Sequence, residues 1–339
     1  MAISNDLLSS TLYSIRDGEV DELFKKTAFL SHAQQYNGIE YEDGGIKIQR
    51  PLSVVEHSSI TQLPTGYEPV SLAVSDVMKP AIYEWTDFVA PIVITKKEEL
   101  ENQSEKAIVK ILEARMRSVM GLLRRELNKQ ILAGSSTVLT NMGTLDGYTS
   151  TTGFLEEGAP APATQTNTVG GLAKNTLNVR GWYNQVGNGG GVFRNDGLVR
   201  MNQIWIACNS IAPMGEIKCI IASEAGMANY KRALFANERY IDEKTLDGGR
   251  MSLAFAGAAV EQDLDMPNAA AHAAGNEYTM YFLNFDGIKL VVHRDADFAV
   301  SPFEHVSGTT ARAAQVYWKG QLIADHLGSQ GVLFNADTW

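Results

Sequence analysis

The sequence predicts an α+β chain, and three stretches carry that prediction. Residues 96–133 keep a single apolar stripe at helical period. Ahead of them lie two β-patterned runs marked by Pro51, Pro80 and Pro91, and after Met251 strand patterns dominate. Between these, helix and strand alternate with long turn-rich loops, which argues for a compact α/β or α+β lobe.

Residues 5–35 read as two short helical segments broken at Gly18, with stripes at Leu7, Leu8, Leu12 and Ile15 and then at Leu23, Phe24, Ala28 and Leu30. Met1 to Gly45 holds eight acidic and three basic residues. A thin amphipathic arm of this kind buries little by itself and is expected to dock elsewhere. From Gly44, Ile46, Ile48, Leu52 and Val54 alternate as one face of a half-buried strand. A polar, Gly- and Pro-containing stretch follows, and the chain returns through "SLAVSDVMKPAIYEWTDFVAPIVIT". Each proline removes a ladder donor and assigns these strands to sheet edges. The pattern fits a projecting hairpin with an edge open to another chain, and equally a hairpin packed on its own domain.

Thr95 and Glu98 form a T-x-x-E capping box that fixes the start of the long helix. The stripe runs through Leu100, Ala107/Ile108, Ile111/Leu112, Val119, Leu122/Leu123, Leu127 and Ile131, and Gly134 ends it. At about 1.5 Å per residue the helix would span roughly 57 Å. Glu98, Glu99, Glu101 and Glu105 gather early and Arg115, Arg117, Arg124, Arg125 and Lys129 late, as the helix dipole favours. Further on, helices are expected at about 198–212 and 224–236, a buried strand at "IKCIIAS", and strands in "LAFAGAAVEQD", "YTMYFLNFDGIKLVVHRD" and "ARAAQVYWKGQLIAD", with "FDG" as a short hairpin turn.

Composition narrows the function. The 339 residues are 45% hydrophobic and 20% charged, with a net charge of −10. An acidic chain has no bulk attraction for nucleic acid or anionic lipid. No apolar run approaches the ~20 residues of a membrane span, and the first residues lack the pattern of a signal peptide; a cytosolic protein is expected. Cys208 and Cys219 stand outside any CxxC pair and read as buried thiols. The six histidines, at 32, 57, 272, 293, 305 and 326, form no ligand spacing. "DLD" (263–265) and "DAD" (295–297) lack the remaining ligands of a calcium loop. "GNGGGVFRNDG" (187–197) lacks both phosphate-loop fingerprints, and there is no G-x-S-x-G elbow. No enzyme activity, cofactor or metal is therefore expected. Aromatics instead mark contact surfaces: Tyr67, Tyr83, Trp85 and Phe88 sit on the predicted hairpin, where large rings bury much area at low entropy cost. For Trp85 and Phe88 an ordinary core role fits as well.

The order of these pieces, with "GGIKIQRPLS" (44–53), "IYEWTDFVAPIVIT" (82–95), "ILEARMRSVMGLLRRELNKQIL" (111–132), "VGGLAKNTLNVRGWYNQV" (169–186), "ANYKRALFANERYIDEK" (228–244) and "LAFAGAAVEQDLDMP" into "MYFLNFDGIKLVVH" (253–293), resembles the major capsid proteins of tailed bacteriophages, the Hong Kong 97 type. The resemblance covers nearly the whole chain. It implies an N-terminal arm (1–40), an E-loop hairpin (41–95), a P-domain made of a spine helix (96–139) and C-terminal strands (286–339), and an A-domain (140–285). It further implies hexamers and pentamers in an icosahedral virion shell around double-stranded DNA, assembled in host cytoplasm, with separate scaffolding, portal and decoration proteins as further partners. Tyr67, Tyr83, Trp85 and Phe88, with the charged Arg50 and Glu56, become candidates for contacts between subunits. The type member's Lys–Asn cross-link is not expected: no lysine occurs between Lys47 and Lys79, and Arg312 falls about where the asparagine would be. An anionic wall would also keep packed DNA from adhering. An encapsulin shell of the same fold, enclosing cargo enzymes, and a cytosolic enzyme with an unrecognised site are the alternative readings.

Overall fold

The computed structural model describes residues 27–53, 66–67, 78–101, 105–133, 142, 153–155, 165–174, 182–188, 193–211, 215–237, 243–245, 251–266 and 279–334. Of the arm expected at residues 1–40, residues 1–26 lie outside them. Helix α1 (Ala28–Gln35) buries Phe29, Leu30 and Ala33. Strand β1 (Ile39–Glu42) follows, then the stem of the hairpin, β2 (Lys47–Ser53) and β3 (Met78–Glu84), paired antiparallel from Lys47↔Glu84 to Ser53↔Met78. Pro51 faces Pro80 across this pair, on strands that are both edges. Ile48 and Leu52 point inward as their alternation predicts. Ile46 does not: it is 94% exposed. Gly44 and Gly45 both take positive φ, so the extended strand begins only at Lys47 and Ile46 drops out of the pattern.

Strand β4 (Thr86–Thr95) departs from the predicted hairpin. It pairs antiparallel with β16 (Ala311–Ala324) over ten residues, from Thr86↔Gly320 to Thr95↔Ala311, and so joins the main sheet instead of the E-loop expected to extend to residue 95. Pro91 is accommodated because β4 is an edge strand whose other side has no partner among the described residues. The spine helix appears as α2 (Lys96–Glu101) and α3 (Glu105–Ala133). It buries Leu112, Met116, Met120, Leu123, Leu127 and Ile131 in the core that also holds Ile92 and Ile94 of β4. Met116 and Met120 belong to this stripe, although the sequence reading passed over them.

The remaining chain forms a second lobe and then interleaves with the first. β5 (Thr168–Val169) and β6 (Leu172–Ala173) make a small hairpin. After β7 (Gln185–Asn188) comes α4 (Phe193–Ile211), which starts about five residues before the predicted 198. Asp196 sits in its first turn, where a negative charge favours the helix, and Gly197 lets the Phe193 ring lie against the backbone. β8 (Cys219–Ala222), α5 (Glu224–Asn237), β9 (Glu243–Thr245), β10 (Met251–Phe255), β11 (Ala258–Gln262) and β12 (Thr279–Leu283) follow. The seven-stranded sheet runs β7-β17-β12-β8-β11-β10-β9, where β17 is Gly331–Phe334. The six-stranded sheet is completed by β13 (Ile288–His293), β14 (Ala299–Val300), β15 (Glu304–His305) and β16 (Ala311–Ala324), with β1 parallel to β13.

Two expectations change here. "FDG" is a turn but not a hairpin: β12 enters the seven-stranded sheet and β13 the six-stranded one. Gln330 fixes the divergence, since its Nε2 donates to Asn284 O (2.8 Å) while Asn284 N donates to its Oε1 (2.9 Å). The C-terminal strands read as one unit at 286–339 also split, because β17 returns to the second lobe and pairs with β7 and β12. One apolar core joins both sheets, from Leu112 and Trp318 to Tyr281 and Val332.

Candidate assembly surfaces

Thr95 ends β4 and caps the spine helix at once. Its N–H and Oγ1–H both donate to Glu98 Oε2 at 3.0 Å, and Glu98 N returns a bond to Thr95 Oγ1 at 3.4 Å. Arg115 closes the corner, donating to Val93 O and to Glu98 Oε1. These bonds, the Thr95 N–H first, hold the Glu98 carboxyl below its ordinary pKa. A lowered carboxyl stabilises the fold above its unfolded pKa, and that contribution fades as pH falls through the folded value. Thr95→Ala should cost about 1 kcal/mol, and Glu98→Gln should flatten the acid limb of stability. Denaturant titration of unassembled subunits across pH measures both.

The hairpin stem is fastened to its own chain. Gly170, with φ of 57°, places its carbonyl to accept from Ile82 N at 2.9 Å, and a Cβ there would strike Ala81 and Tyr83. Tyr83 is buried, and its hydroxyl donates to Ala324 O (3.1 Å) and accepts from Ala324 N (3.3 Å); burial pushes its phenol pKa up. Arg50 reaches Glu40 (2.6 Å), Glu42 (3.3 Å) and Asp325 (3.9 Å), tying β2 to β1 and to the end of β16. Burial raises the Asp325 carboxyl, with Arg50 and Lys289 pulling against that rise.

The contact candidates therefore separate. Tyr83 is corrected to a core residue, because the turn at Gly170 and the carbonyl of Ala324 enclose it. Arg50 forms a bridge within its own chain. Trp85 is half-buried: its Nε1 donates to Gly45 O (3.0 Å), its ring meets His293 edge-on, and Lys319 Nζ lies 5.9 Å above it. Phe88 packs its ring 5.6 Å from Trp318. Tyr67 is 96% exposed. Glu56 lies outside the described residues.

What remains uncovered among the described residues is a set of apolar faces outside the predicted contact candidates. On β4 the residues opposite the core are Asp87, Val89, Pro91 and Val93, with Val89 51% and Val93 40% exposed. Register sets Tyr317 beside Val89 and Ala313 beside Val93. Tyr317 donates to Asp87 Oδ1 at 2.7 Å, and this bond to a carboxylate raises its pKa to about 12. On the hairpin stem, Pro51, Met78, Pro80 and Ile82 share one exposed face. The sequence carried little of this signal, since Phe88 to Ile94 is a continuous apolar run and only the burial along β4 alternates. Which half of the alternation faces out was not legible until α3 took its place.

Little of this surface is suited to chemistry. Among the described residues no group of three His, Cys, Asp or Glu side chains could hold a metal ion. His32 is buried 3.6 Å from Glu261, and burial lowers the pKa of His326. A cleft of about 820 Å³ between α3, α5 and β11 is lined by Arg124, Arg125, Asn128, Lys231, Asp263 and Asp265 among others. There the Asn128 amide donates to Asp263 (3.0 and 3.2 Å) and Asp265 (2.9 Å). No helix of the described residues is long and apolar enough to cross a membrane.

No family model and no curated protein sequence matches the chain. Solved structures do. The chain is similar to the holo-SrpI encapsulin complex from Synechococcus elongatus PCC 7942, at 11% identity over 90% of this chain and 87% of that one, with a TM-score of 0.56. It is similar to the capsid asymmetric unit of cyanophage A-1(L), at 14% identity over 91% and 93%, with a TM-score of 0.56. The capsid of Myoviridae phage XM1 aligns at 11% identity over 90% and 92%, with a TM-score of 0.51. The fold is α+β, of the Hong Kong 97-like capsid type.

Proposed function

We propose that this chain is the major capsid protein of a tailed phage, a structural, non-enzymatic subunit that forms hexamers and pentamers and closes an icosahedral head around double-stranded DNA. One observation carries the reading: a capsid-type fold over nine-tenths of the chain, in which the ten-residue strand β4 has one edge without a strand partner among the described residues and an apolar face beside it. Soluble monomers blunt such edges, whereas subunits of a closed assembly bury them. The β4–β16 face and the outer face of the hairpin stem are the surfaces through which copies meet, with the exposed Tyr67, between β2 and β3 in the chain, as a further contact. The six-stranded sheet and spine helix act as the P-domain and the seven-stranded lobe as the A-domain. Scaffolding, portal and decoration proteins join as separate chains.

An encapsulin shell is the second reading, favoured by a TM-score equal to that of the cyanophage capsid. Sedimentation and electron microscopy of the expressed chain test the common core of both: megadalton particles or capsomers are expected, and a stable monomer at high concentration rejects it. Nuclease-protected DNA inside particles from infected cells separates phage from encapsulin. The same particles should run as single subunits on a denaturing gel; a covalent ladder would contradict the absence of a cross-link.

A further inference from the structure

The layer built from the spine helix and the six-stranded sheet has two broad faces, and they differ in charge. The sheet side carries Val89, Pro91, Val93 and Tyr317, with Asp87 and Lys319 lying 3.6 Å apart as a neutral pair. The helix side is the solvent stripe of α3, opposite the buried Leu112, Met116, Met120 and Leu123. Arg117, Arg125 and Lys129 stand on that stripe, and the Arg125 side chain is 77% exposed. Arg124 lies half-buried at its margin and, with Lys231 of α5, lines the cleft. From residue 115 to 133 the chain has five basic residues and one acidic, Glu126, although its net charge is −10.

Among the described residues the acids that face this stripe are engaged, and Arg117 has a partner of its own. Glu126 accepts from Gln130 Nε2 at 2.8 Å. Asp265 sits 3.9 Å from Arg125 and, with Asp263, accepts from Asn128. Glu261 is buried within the cleft, beside His32. A cationic strip on a strongly anionic protein is a local reversal of field, and it persists at close range because ionic screening acts over about 8–10 Å.

We propose that the solvent face of α3, through Arg117, Arg125 and Lys129 with Arg124 and Lys231 at its edge, contacts the phosphate backbone of double-stranded DNA without reading sequence. From Arg117 to Lys129 the helix advances about 18 Å at 1.5 Å per residue. A duplex presents a phosphate every ~1.7 Å of axis, so three cations on that strip each find one. Contacts of this kind hold and orient DNA but do not select a sequence. The wall is then not uniformly repellent: the face bearing α3 is the one turned to enclosed DNA, and the apolar sheet face is left for copies. That DNA is the polyanion encountered rests on the function proposed above; the charge on the face does not.

The test measures binding of a random-sequence duplex to the purified full chain by fluorescence anisotropy. About three phosphate contacts predict a slope of about −2.7 in log K against log salt, which is about a 40-fold loss of affinity between 50 and 200 mM. Replacing Arg117, Arg125 and Lys129 together by Gln should weaken binding at least tenfold at about 50 mM salt and bring the slope close to zero. Circular dichroism should show an unchanged fold. No binding at low salt, or equal binding by the triple variant, overturns the assignment. So does capture of an acidic peptide by a chain that ignores the duplex, because the face would then take a protein segment. If the triple variant instead stops particle formation and still binds duplex, the strip is a contact between copies and the proposal fails. A chain that binds duplex as predicted yet forms no particles would reject the shell function and leave the DNA-binding face standing.

Discussion

Changing Val89 and Val93 together to lysine is expected to leave the subunit folded and to abolish particles. Both side chains point away from the core and are about half-exposed in the single chain. Surface changes of this kind usually alter folding stability by no more than about 0.5 kcal/mol. In an assembly the same side chains would be covered. Fully burying an exposed valine contributes about 1.5 kcal/mol; with about half of each already covered, the two together supply about 1.5 kcal/mol per contact, roughly a tenfold change in its equilibrium constant. Lysine adds a charge that the contact must leave in water, and lysines on edge strands are the common device against edge pairing. In a closed shell every copy repeats the loss, which makes the effect on particles far steeper than on any pair. Sedimentation velocity with circular dichroism reads both quantities. Particles at the wild-type concentration would remove this face from the list of interfaces.

The second large effect falls inside the subunit. Trp318 lies at the middle of β16 with its Cα paired to that of Phe88; the two rings are 5.6 Å apart, and Phe298 adds a third ring at 6.3 Å. Gly320 gives the indole its place: a Cβ there would come within 2.6 Å of the ring. Trp318→Ala empties the centre of this cluster and should cost about 3–5 kcal/mol, a large part of the roughly 5–15 kcal/mol that holds a domain. Urea unfolding of unassembled subunits is the appropriate measure, because assembly would add stability that depends on concentration. A loss below about 1 kcal/mol, the range typical of a well-tolerated swap, would mean that the site collapses around the gap and that Trp318 is not the keystone of the sheet.

Local chemistry made part of the fold legible. The T-x-x-E box marks the helix start to the residue because cap and helix turn are neighbours in sequence. The apolar stripe of α3 appears in part: Leu112, Leu123, Leu127 and Ile131 are buried as their period predicts, while Leu122 is 65% exposed and Met116 and Met120 fill the stripe instead. Prolines 51, 80 and 91 fall on edge strands because a missing N–H excludes them from the middle of a ladder wherever that ladder lies. Ile46 escaped this logic through two glycines, and the start of α4 through a Gly-rich run that ends in a helix turn. The aromatic candidates were harder. Tyr83, Trp85 and Phe88 have the composition of an interface, but each finds a partner more than 200 residues away or across a distant turn, at Ala324, His293 and Trp318.

The amino-acid sequence by itself determined the elements: an acidic α+β chain, a capped spine helix, edge-type strands and a strand-rich end. Tertiary structure alone decided their company. β4 joined β16 and left the hairpin, β12 and β13 parted at Asn284, and β17 crossed back to the other lobe. Helices and edges are set by bonds and sterics a few residues long, whereas sheet membership is a choice among distant strands with nearly equal local patterns. That choice is made by packing, here by the spine helix on one face of β4 and by Gln330 at the divergence, and the same choice left Val89 and Val93 facing outward.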